Sequence, residues 1–162
     1  MKKIFVKSLS NKYPTKDITL DDRKNKLKLS TSNKKIVVDI GDGVVFGKKN
    51  IPVIAGPNGV ESKNLMHKVA KILKKNDIKI IRGHAYKPLT FPYRSKKYNE
   101  TQDLGMNWMD EIKKQYKLKV VTELTEIKFL DRVCQTADIL QIGSRNMQNL
   151  ELLKEAAQTN YP

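Results

Sequence analysis

From residue 51 onward, short apolar runs alternate with longer stretches that mix apolar and polar residues. The apolar runs are 51–56, 78–83, 118–123 and 138–143. Because they show no polar alternation, we predict four strands of a parallel sheet, each buried on both faces. Together with the stretches between them, they form four consecutive β/α units of an α/β fold, with right-handed crossovers. The pattern allows either an open doubly wound sheet or part of a (β/α) barrel.

The intervening stretches carry apolar residues at helical spacing, which predicts helices that pack on the sheet. The predicted stripes are Leu65, Val69, Ile72 and Leu73 in a helix near 62–75; Met109, Ile112 and Tyr116; Ile127, Leu130, Val133 and Cys134; and Leu150, Leu153 and Ala156. His67 falls on another side of the first helix, where we expect it to be exposed to solvent.

Upstream of these units, the segment 36-IVVDIGDGVVFG-47 places two β-branched runs around Gly41-Asp42-Gly43. Glycine and aspartate tolerate the positive φ of a tight turn, so this segment is predicted to be a β-hairpin. Residues 1–33 are polar and show no firm period, and we interpret them as a leader. The predicted organisation is a leader at 1–33 followed by one domain at 34–162.

The chain has 162 residues and a formal net charge of +15, and its length suits one domain with a real core. The lysines are scattered in ones and twos, which predicts solvated surfaces, and we expect no nucleic acid as a partner. A single cysteine, Cys134, excludes an internal disulfide and fits a reducing cytosol. The apolar runs are too short for a signal sequence or a membrane span, so we predict a cytoplasmic protein with no membrane partner.

Each predicted strand ends in polar residues that a packed core does not need. They are Asn58 and Glu61 after the first strand, Arg82 and Glu123 at the next two, and Gln141 and Arg145 at the fourth. Because the carboxyl ends of parallel strands meet at one edge, we predict that these residues converge on one site. Arg82, Arg145 and the nearby Lys87 suit a phosphate or carboxylate, which guanidinium groups bind in bidentate fashion. No glycine-rich or Walker motif favours a nucleotide fold.

Four segments resemble DAHP synthase, the first enzyme of the shikimate pathway of aromatic amino-acid biosynthesis. They are 54-IAGPNGVES-62, 82-RGHAYKPLTFPY-93, 121-VTE-123 and 137-ADILQIGSRNMQNLELLKE-155. The resemblance covers about 36–162 and implies a (β/α)8 TIM barrel, of which this chain holds about the first four units. The hairpin at 36–47 would be the plug at the bottom of that barrel. DAHP synthases condense phosphoenolpyruvate with erythrose 4-phosphate, and octulosonate-phosphate synthases share their barrel and mechanism.

The resemblance also implies roles for individual residues. Phosphoenolpyruvate would be bound by Arg82, Arg145 and the backbone of Gly143 and Ser144. Erythrose 4-phosphate would be bound by Lys87, Pro88 and Thr90. The catalytic residues would be Lys87, between the two substrates, and Glu123, which orders the site and its water. His84 stands where close relatives carry glycine, and we interpret it as neutral drift. The implied partners are therefore phosphoenolpyruvate and an aldose phosphate.

The sequence departs from the resemblance at Asn58. Metal-dependent DAHP synthases have a cysteine there that binds a divalent ion, manganese or iron. A neutral amide is a poor substitute for a thiolate, and metal-independent octulosonate-phosphate synthases carry asparagine at this position. We therefore expect no metal or other cofactor, through either a metal-free mechanism or decay of the metal site.

Two further departures concern the sugar-phosphate loop and the end of the sequence. Leu89 replaces an arginine that grips the sugar phosphate, and loss of such a contact costs about 2–5 kcal/mol. The sequence ends at 159-TNYP-162, where the resemblance places the start of the fifth strand. We expect a truncated barrel with open sheet edges, impaired alone, that forms a homo-oligomer or is completed by a separate C-terminal half.

Two functions fit these expectations. One is a DAHP synthase-like transferase, and the other is a catalytically inactive binding or regulatory partner of an intact synthase or of a C-terminal half. A basic nucleic-acid binder is the least favoured hypothesis, because it needs clustered charge and stacking aromatic residues on one face.

Overall fold

A computed structural model of the chain describes residues 37–47, 49, 51–86 and 100–162. Its elements in chain order are β1 (Val38–Asp39), β2 (Val45–Phe46), β3 (Ile54–Ala55), α1 (Lys63–Lys75), β4 (Ile80–Arg82), α2 (Gln102–Tyr116), β5 (Lys119–Glu123), α3 (Leu130–Thr136), β6 (Ile139–Gln141) and α4 (Leu150–Gln158). Single-turn 3-10 helices at Ile127–Phe129 and Ser144–Asn146 precede α3 and α4. The predicted leader at 1–33 lies outside the described residues.

Strands β3 to β6 form one parallel sheet in chain order, which confirms the predicted α/β architecture. The register pairs Ile54 with Ile80, Arg82 with Val121, and Glu123 with Gln141. The prediction that all four strands are buried on both faces is wrong for β3. In the described part of the chain β3 pairs only with β4, and Ile54 is 41% exposed. An apolar run does not reveal whether a second neighbour covers a strand.

One face of this sheet is covered by the helices. Its side chains join a core that includes Ile81 and Val120 from the strands, Met66 and Ala70 from α1, Met106, Met109 and Ile112 from α2, Val133 from α3 and Leu152 from α4. Each of these residues is fully buried. Burial of this apolar surface is the main force that holds the helices on the sheet.

The other face carries the hairpin at one end and polar groups at the other. Val44 and Phe46 of the hairpin pack against Ile80, Val121 and Ile139 of the sheet. Because side chains alternate between the faces of a strand, Arg82, Glu123 and Gln141 share this face, two residues further along their strands. On this face, the apolar side chains therefore lie at the hairpin end of the sheet, and the polar side chains lie at the carboxyl ends of the strands.

The hairpin formed by β1 and β2 confirms the prediction for 36–47. Val38 pairs with Phe46 and Asp39 with Val45 in an antiparallel register. The turn residues Gly41, Asp42 and Gly43 all have positive φ, at 85°, 53° and 76°. The Asp42 carboxylate lies 2.8 Å from the Lys119 ammonium group, and this contact lowers the pKa of Asp42. The ion pair ties the hairpin turn to the start of β5.

The helix at 62–75 is confirmed, but the predicted stripes are wrong at several positions. Ile72, Ile127 and Leu150 are 60%, 41% and 69% exposed, whereas Leu152 is fully buried. Each residue turns a helix by about 100°, so a stripe built on Leu150 instead of Leu152 faces the wrong way. Three leucines within four positions of α4 fit either choice, and only the packing on the sheet decides between them.

His67 is also not exposed as predicted, since its side chain keeps only 18% exposure. Its Nδ1 lies 3.1 Å from the Tyr116 hydroxyl, and its Nε2 lies 3.3 Å from the Glu111 carboxylate. These contacts join α1 to α2. The prediction failed because it considered α1 alone, whereas α2 packs against that side of the helix.

Among the helices within the described ranges, none is long and apolar enough to cross a lipid bilayer.

Candidate functional site at the carboxyl ends of the strands

Arg82 is the centre of a polar cluster at the carboxyl edge of the sheet. Its Nε donates a hydrogen bond to Gln141 Oε1 at 3.0 Å, and its Nη2 donates to Asn58 Oδ1 at 3.5 Å. These bonds join the loop after β3 to the ends of β4 and β6, as the predicted convergence of the strand ends requires. Both acceptors are neutral amides, so they orient the guanidinium group without neutralising its charge. The cluster is therefore suited to attract an anion.

Gly56 allows the end of β3 to approach Arg82 closely. Its φ is +152°, and a Cβ atom at this position would lie 2.0 Å from the Arg82 carbonyl oxygen. Only glycine combines this backbone conformation with the absence of a side chain. The close approach brings the loop that carries Asn58 alongside the end of β4.

Glu123 occupies the end of β5 between Arg82 and the chain that follows β6. It is 4% exposed, and a Cβ atom on Gly143 would lie 2.0 Å from its Oε1. The carboxylate therefore fills the space that a side chain at position 143 would need. This confines the carboxyl group to a buried position two residues beyond the pair formed by Arg82 and Val121.

His84 is a component of this site that the sequence interpretation missed. It is 2% exposed, and its Nδ1 accepts a hydrogen bond from the Glu123 backbone N–H at 2.8 Å. Its carbonyl oxygen accepts from the Val60 N–H at 3.1 Å. The interpretation of His84 as neutral drift is therefore not supported. The only signal in the sequence was an imidazole two residues after a strand-end arginine.

Tyr86 is a buried residue at the end of the chain segment that follows β4. Its ring stacks on Phe129 with 4.1 Å between the ring centroids, and its hydroxyl donates to Asp103. Burial and the bond to Asp103 raise the pKa of the Tyr86 hydroxyl. The Thr125 hydroxyl donates to the Tyr86 carbonyl oxygen at 3.4 Å. These contacts hold the residue immediately before Lys87.

The remaining predicted site residues differ in how far the structure places them. Gly143 lies against Glu123, and Ser144 and Arg145 are exposed in the 3-10 helix that follows β6. Lys87, Pro88 and Thr90 lie outside the described residues, as does Leu89. The structure thus joins Arg82 with Asn58 and Gln141, and Glu123 with Gly143. The approach of Arg145 and Lys87 to these groups stays a prediction.

The donors present do not fit a thiolate-bound divalent ion. Asn58 offers a neutral amide, whose oxygen already accepts a hydrogen bond from the Arg82 guanidinium, and that cation would repel a metal ion. Within the described ranges, no group of three or more His, Cys, Asp or Glu side chains could hold a metal. The chemistry at Asn58 thus disagrees with the metal site of the metal-dependent synthases.

A cleft of about 430 Å³ lies at the opposite edge of the sheet, between the hairpin and the loops before β3 and β4. Its lining combines the apolar side chains of Ile51 and Val53 with Asp77 and Lys79. We place the candidate site at the carboxyl edge instead, because an oriented guanidinium and a buried carboxylate lie together there.

Comparisons with known proteins show which family the chain belongs to. A sequence profile of the DAHP synthetase I family matches residues 27–162. The Phospho-2-dehydro-3-deoxyheptonate aldolase of Thermotoga maritima is 39% identical over 126 residues, which cover 78% of this chain and 36% of that protein. The 2-dehydro-3-deoxyphosphooctonate aldolase of Fusobacterium nucleatum is 32% identical over 130 residues, which cover 75% of this chain and 45% of that protein.

Solved structures give the same result. The crystal structure of the Thermotoga maritima DAHP synthase matches with a TM-score of 0.71 and 35% identity, over 80% of this chain and 36% of that one. A truncated form of 3-deoxy-D-arabino-heptulosonate 7-phosphate synthase from the same organism matches with a TM-score of 0.67 and 34% identity, over 80% of this chain and 44% of that one. The chain thus spans less than half the length of these relatives. From the profile match and the shared fold, it follows that this chain belongs to the DAHP synthetase I family.

Proposed function

We propose that this chain provides the phosphoenolpyruvate-binding part of a DAHP synthase-type active site, which condenses phosphoenolpyruvate with erythrose 4-phosphate. The observation that carries the proposal is the Arg82 guanidinium, oriented by Gln141 and Asn58 beside the buried Glu123. Membership of the family supports the reaction class, that of an aldehyde-condensing transferase.

Phosphoenolpyruvate carries a phosphate and a carboxylate, so its site needs more than one cationic or N–H donor group. Arg82 supplies a guanidinium group that is held by neutral amides and keeps its charge for the ligand. We assign the second guanidinium to Arg145 and further donors to the backbone N–H groups of Gly143 and Ser144. All three residues follow β6, the strand whose end already contacts Arg82 through Gln141.

The proposed reaction forms a bond between the methylene carbon of phosphoenolpyruvate and the aldehyde carbon of the sugar, whose oxygen takes a proton. Water then adds to the cationic carbon that bears the phosphate, and cleavage of its carbon–oxygen bond releases inorganic phosphate. Lys87 would protonate or polarise the reacting centre, and Glu123 would order the water. Because the Asn58 amide is neutral and its oxygen accepts a hydrogen bond from Arg82, we expect the reaction to be insensitive to chelators.

We propose the loop with Lys87, Pro88 and Thr90 as the erythrose 4-phosphate site. Leu89 lacks the positive charge that the family carries at this position, so the affinity for the aldose phosphate would be reduced. The proposed impairment is therefore weaker binding of the second substrate. The residues around Arg82 that we assign to phosphoenolpyruvate are retained.

We further propose that 34–162 forms the first four units of a (β/α)8 barrel, plugged by the hairpin at 36–47 and preceded by a leader at 1–33. Two observations support an extension of the sheet on both sides. The Leu140 N–H donates to the Pro162 carbonyl oxygen at 2.9 Å, so another segment begins to pair beyond β6. At the other edge, Val53, immediately before β3, is 56% exposed, and Ile54 within β3 is 41% exposed. A complementing C-terminal half, or a second copy of the chain, would cover these edges.

The second candidate function is a catalytically inactive partner of an intact synthase or of a C-terminal half. The exposed apolar residues before and within β3 favour it, because Ile51 is 89% exposed next to Val53 and Ile54. Neighbouring exposed apolar side chains of this kind are typical of protein interaction sites. This candidate needs no turnover by the chain itself.

Calorimetric titration with phosphoenolpyruvate tests the proposed site. We expect Arg82→Gln to weaken binding by about tenfold or more, because a charged hydrogen-bond donor is lost. The matched control is Arg132→Gln, whose guanidinium lies 2.9 Å from Asp110 on the helix side of the sheet. The control should lower thermal stability and leave the affinity unchanged. Equal effects of the two substitutions, or no binding by the native chain, would refute the proposal.

Two measurements distinguish the candidate functions: turnover of the substrates and the gel-filtration size of the protein. Both substrates are supplied, and phosphate release is followed with and without a chelator. Turnover that is insensitive to the chelator supports the transferase. Binding of phosphoenolpyruvate without turnover, combined with a gel-filtration size above that of a monomer, favours the inactive partner.

A further inference from the structure

We propose that His84 is a positioning residue for Glu123. Its imidazole takes the place of a backbone acceptor at the end of the sheet and thereby determines where the Glu123 carboxylate stands. The expected effect on ligand affinity rests on the proposed function. The positioning of Glu123 by its hydrogen bond to His84 does not.

The role follows from the hydrogen-bond pattern between β4 and β5. In a parallel ladder, evenly spaced bonds continue for as long as both strands run. The Gly83 N–H donates to the Val121 carbonyl oxygen at 3.2 Å, so the next donor of β5 on this side is the Glu123 N–H. Strand β4 ends at Arg82, and the bond from Glu123 goes to His84 Nδ1 at 2.8 Å instead of to a backbone carbonyl.

This bond sets the chemical state of the ring. A nitrogen that accepts a hydrogen bond from a backbone N–H carries no proton of its own, so the ring is neutral with its proton on Nε2. His84 is 2% exposed, and a buried backbone N–H that loses its acceptor is costly. The imidazole is therefore needed as an acceptor at this position, in addition to filling space.

His84 also fixes the loop that carries Asn58. Its carbonyl oxygen accepts from the Val60 N–H at 3.1 Å, and the Val60 carbonyl oxygen accepts from the Thr101 hydroxyl at 2.7 Å. One residue thus joins the end of β5 to the loop after β3. The backbone segments that carry the Asn58 amide and the Glu123 carboxylate are therefore both hydrogen-bonded to His84.

The carboxylate has little freedom once the backbone of Glu123 is fixed. On its far side, the position of a Cβ atom on Gly143 is only 2.0 Å from Oε1. A change in the backbone at Glu123 would move the carboxylate against the segment that follows β6. The hydrogen bond that His84 accepts from the Glu123 N–H therefore also affects the position of Gly143 and Ser144, which we assign to phosphoenolpyruvate.

The hydrogen bond between Glu123 and His84 can be tested in the unaltered 162-residue chain. We expect a ¹⁵N–¹⁵N coupling across the hydrogen bond between the Glu123 amide nitrogen and His84 Nδ1 in a labelled sample. We also expect the chemical shift of Nδ1 to be that of an unprotonated nitrogen. Absence of the coupling with both signals assigned, or a protonated Nδ1, would overturn the inference without any variant.

Two variants separate positioning from simple packing. His84→Asn keeps an acceptor oxygen close to the position of Nδ1, and His84→Leu keeps apolar volume without an acceptor. We expect the leucine variant to raise hydrogen exchange at the Glu123 amide by about tenfold or more, relative to the Val120 amide at the other end of β5. The asparagine variant should restore protection at Glu123. Equal exchange ratios in the two variants would show a packing role only and would overturn the inference.

Titration with phosphoenolpyruvate adds the functional readout. We expect the leucine variant to bind less tightly than the asparagine variant by about tenfold, in step with exchange at Glu123. Equal affinities despite different exchange would overturn the link from His84 to the ligand. If the native chain binds no phosphoenolpyruvate, the proposed function fails, and the coupling and the exchange ratio still decide the role of His84.

Discussion

Replacement of Gly143 by alanine is the sharpest test of how Glu123 is held. The backbone at Gly143 has φ −73° and ψ 156°, which any residue adopts, so alanine adds no backbone strain. Its Cβ would lie 2.0 Å from Glu123 Oε1, whereas ordinary contacts begin at 3.4 Å. The oxygen must therefore retreat by about 1.4 Å in a packed environment. The perturbation acts on one buried carboxylate.

We expect the Gly143→Ala substitution to lower the free energy of unfolding by about 1–3 kcal/mol, the usual cost of overpacking. Urea unfolding of the full chain measures this cost. The matched control is Gly59→Ala, where the nearest atom to the new Cβ is the His84 carbonyl oxygen at an unstrained 3.9 Å. The control should change the free energy of unfolding by about 0.5 kcal/mol or less.

A double-mutant cycle identifies the cause. In the background of Glu123→Ala the clash disappears, so the added methyl group at position 143 should cost about 0.5 kcal/mol or less. The coupling energy between the two positions should then be about 1 kcal/mol or more. If Gly143→Ala is as mild as the control, or equally costly with and without the Glu123 side chain, the described placement of the carboxylate is wrong.

Three other predictions concern the scaffold. Leu152→Ala should cost about 2–5 kcal/mol in urea unfolding because Leu152 is fully buried, and Leu150→Ala in the same helix should cost about 0.5 kcal/mol or less. Because the Lys119 ammonium lowers the pKa of Asp42, the stability from this pair is present above the unfolded pKa and lost as the pH falls through the folded pKa. The unfolding curves of native chain and Asp42→Asn should therefore differ at neutral pH and converge in acid. Burial raises the pKa of the Cys134 thiol to about 11, so a thiol reagent at pH 8 should label it only as fast as the chain unfolds, and rapid labelling would contradict its burial.

Local chemistry made part of the fold predictable from sequence. The hairpin depends on the positive φ tolerated by Gly41, Asp42 and Gly43, and these residues adopt it. Helix α1 begins after Ser62, whose hydroxyl accepts from the Leu65 N–H at 3.3 Å. Signals of this kind lie within a few neighbouring residues, so tertiary packing does not change them.

The errors arise where a second element decides the outcome. The faces of α1 and α4 depend on α2 and on the sheet, which is why Ile72, His67 and Leu150 were misplaced. Strand β3 looks buried by composition and is exposed, because in the described part of the chain its second neighbour is absent. An apolar run indicates that a segment favours burial. Whether the segment is buried depends on which other elements pack against it.

The candidate site also has a part that the sequence predicts and a part that depends on tertiary packing. Convergence of Asn58, Arg82 and Gln141 follows from their positions at the ends of parallel strands, and their hydrogen bonds confirm it. The role of His84 could not be predicted, because it depends on β4 ending one residue before the ladder to β5 needs another acceptor. Strand ends of this kind are set by tertiary packing.

The close approach of Gly56 to the Arg82 carbonyl oxygen limits how this protein can evolve. Randomisation of codon 56 should return glycine alone among folded clones, whereas codon 59, where an added Cβ meets its nearest atom at an ordinary 3.9 Å, should return several residues. The position of Arg82 therefore depends on a neighbour that has no side chain. A substitution at position 56 would therefore displace the end of β3 from Arg82 even though every charged residue of the candidate site was unchanged.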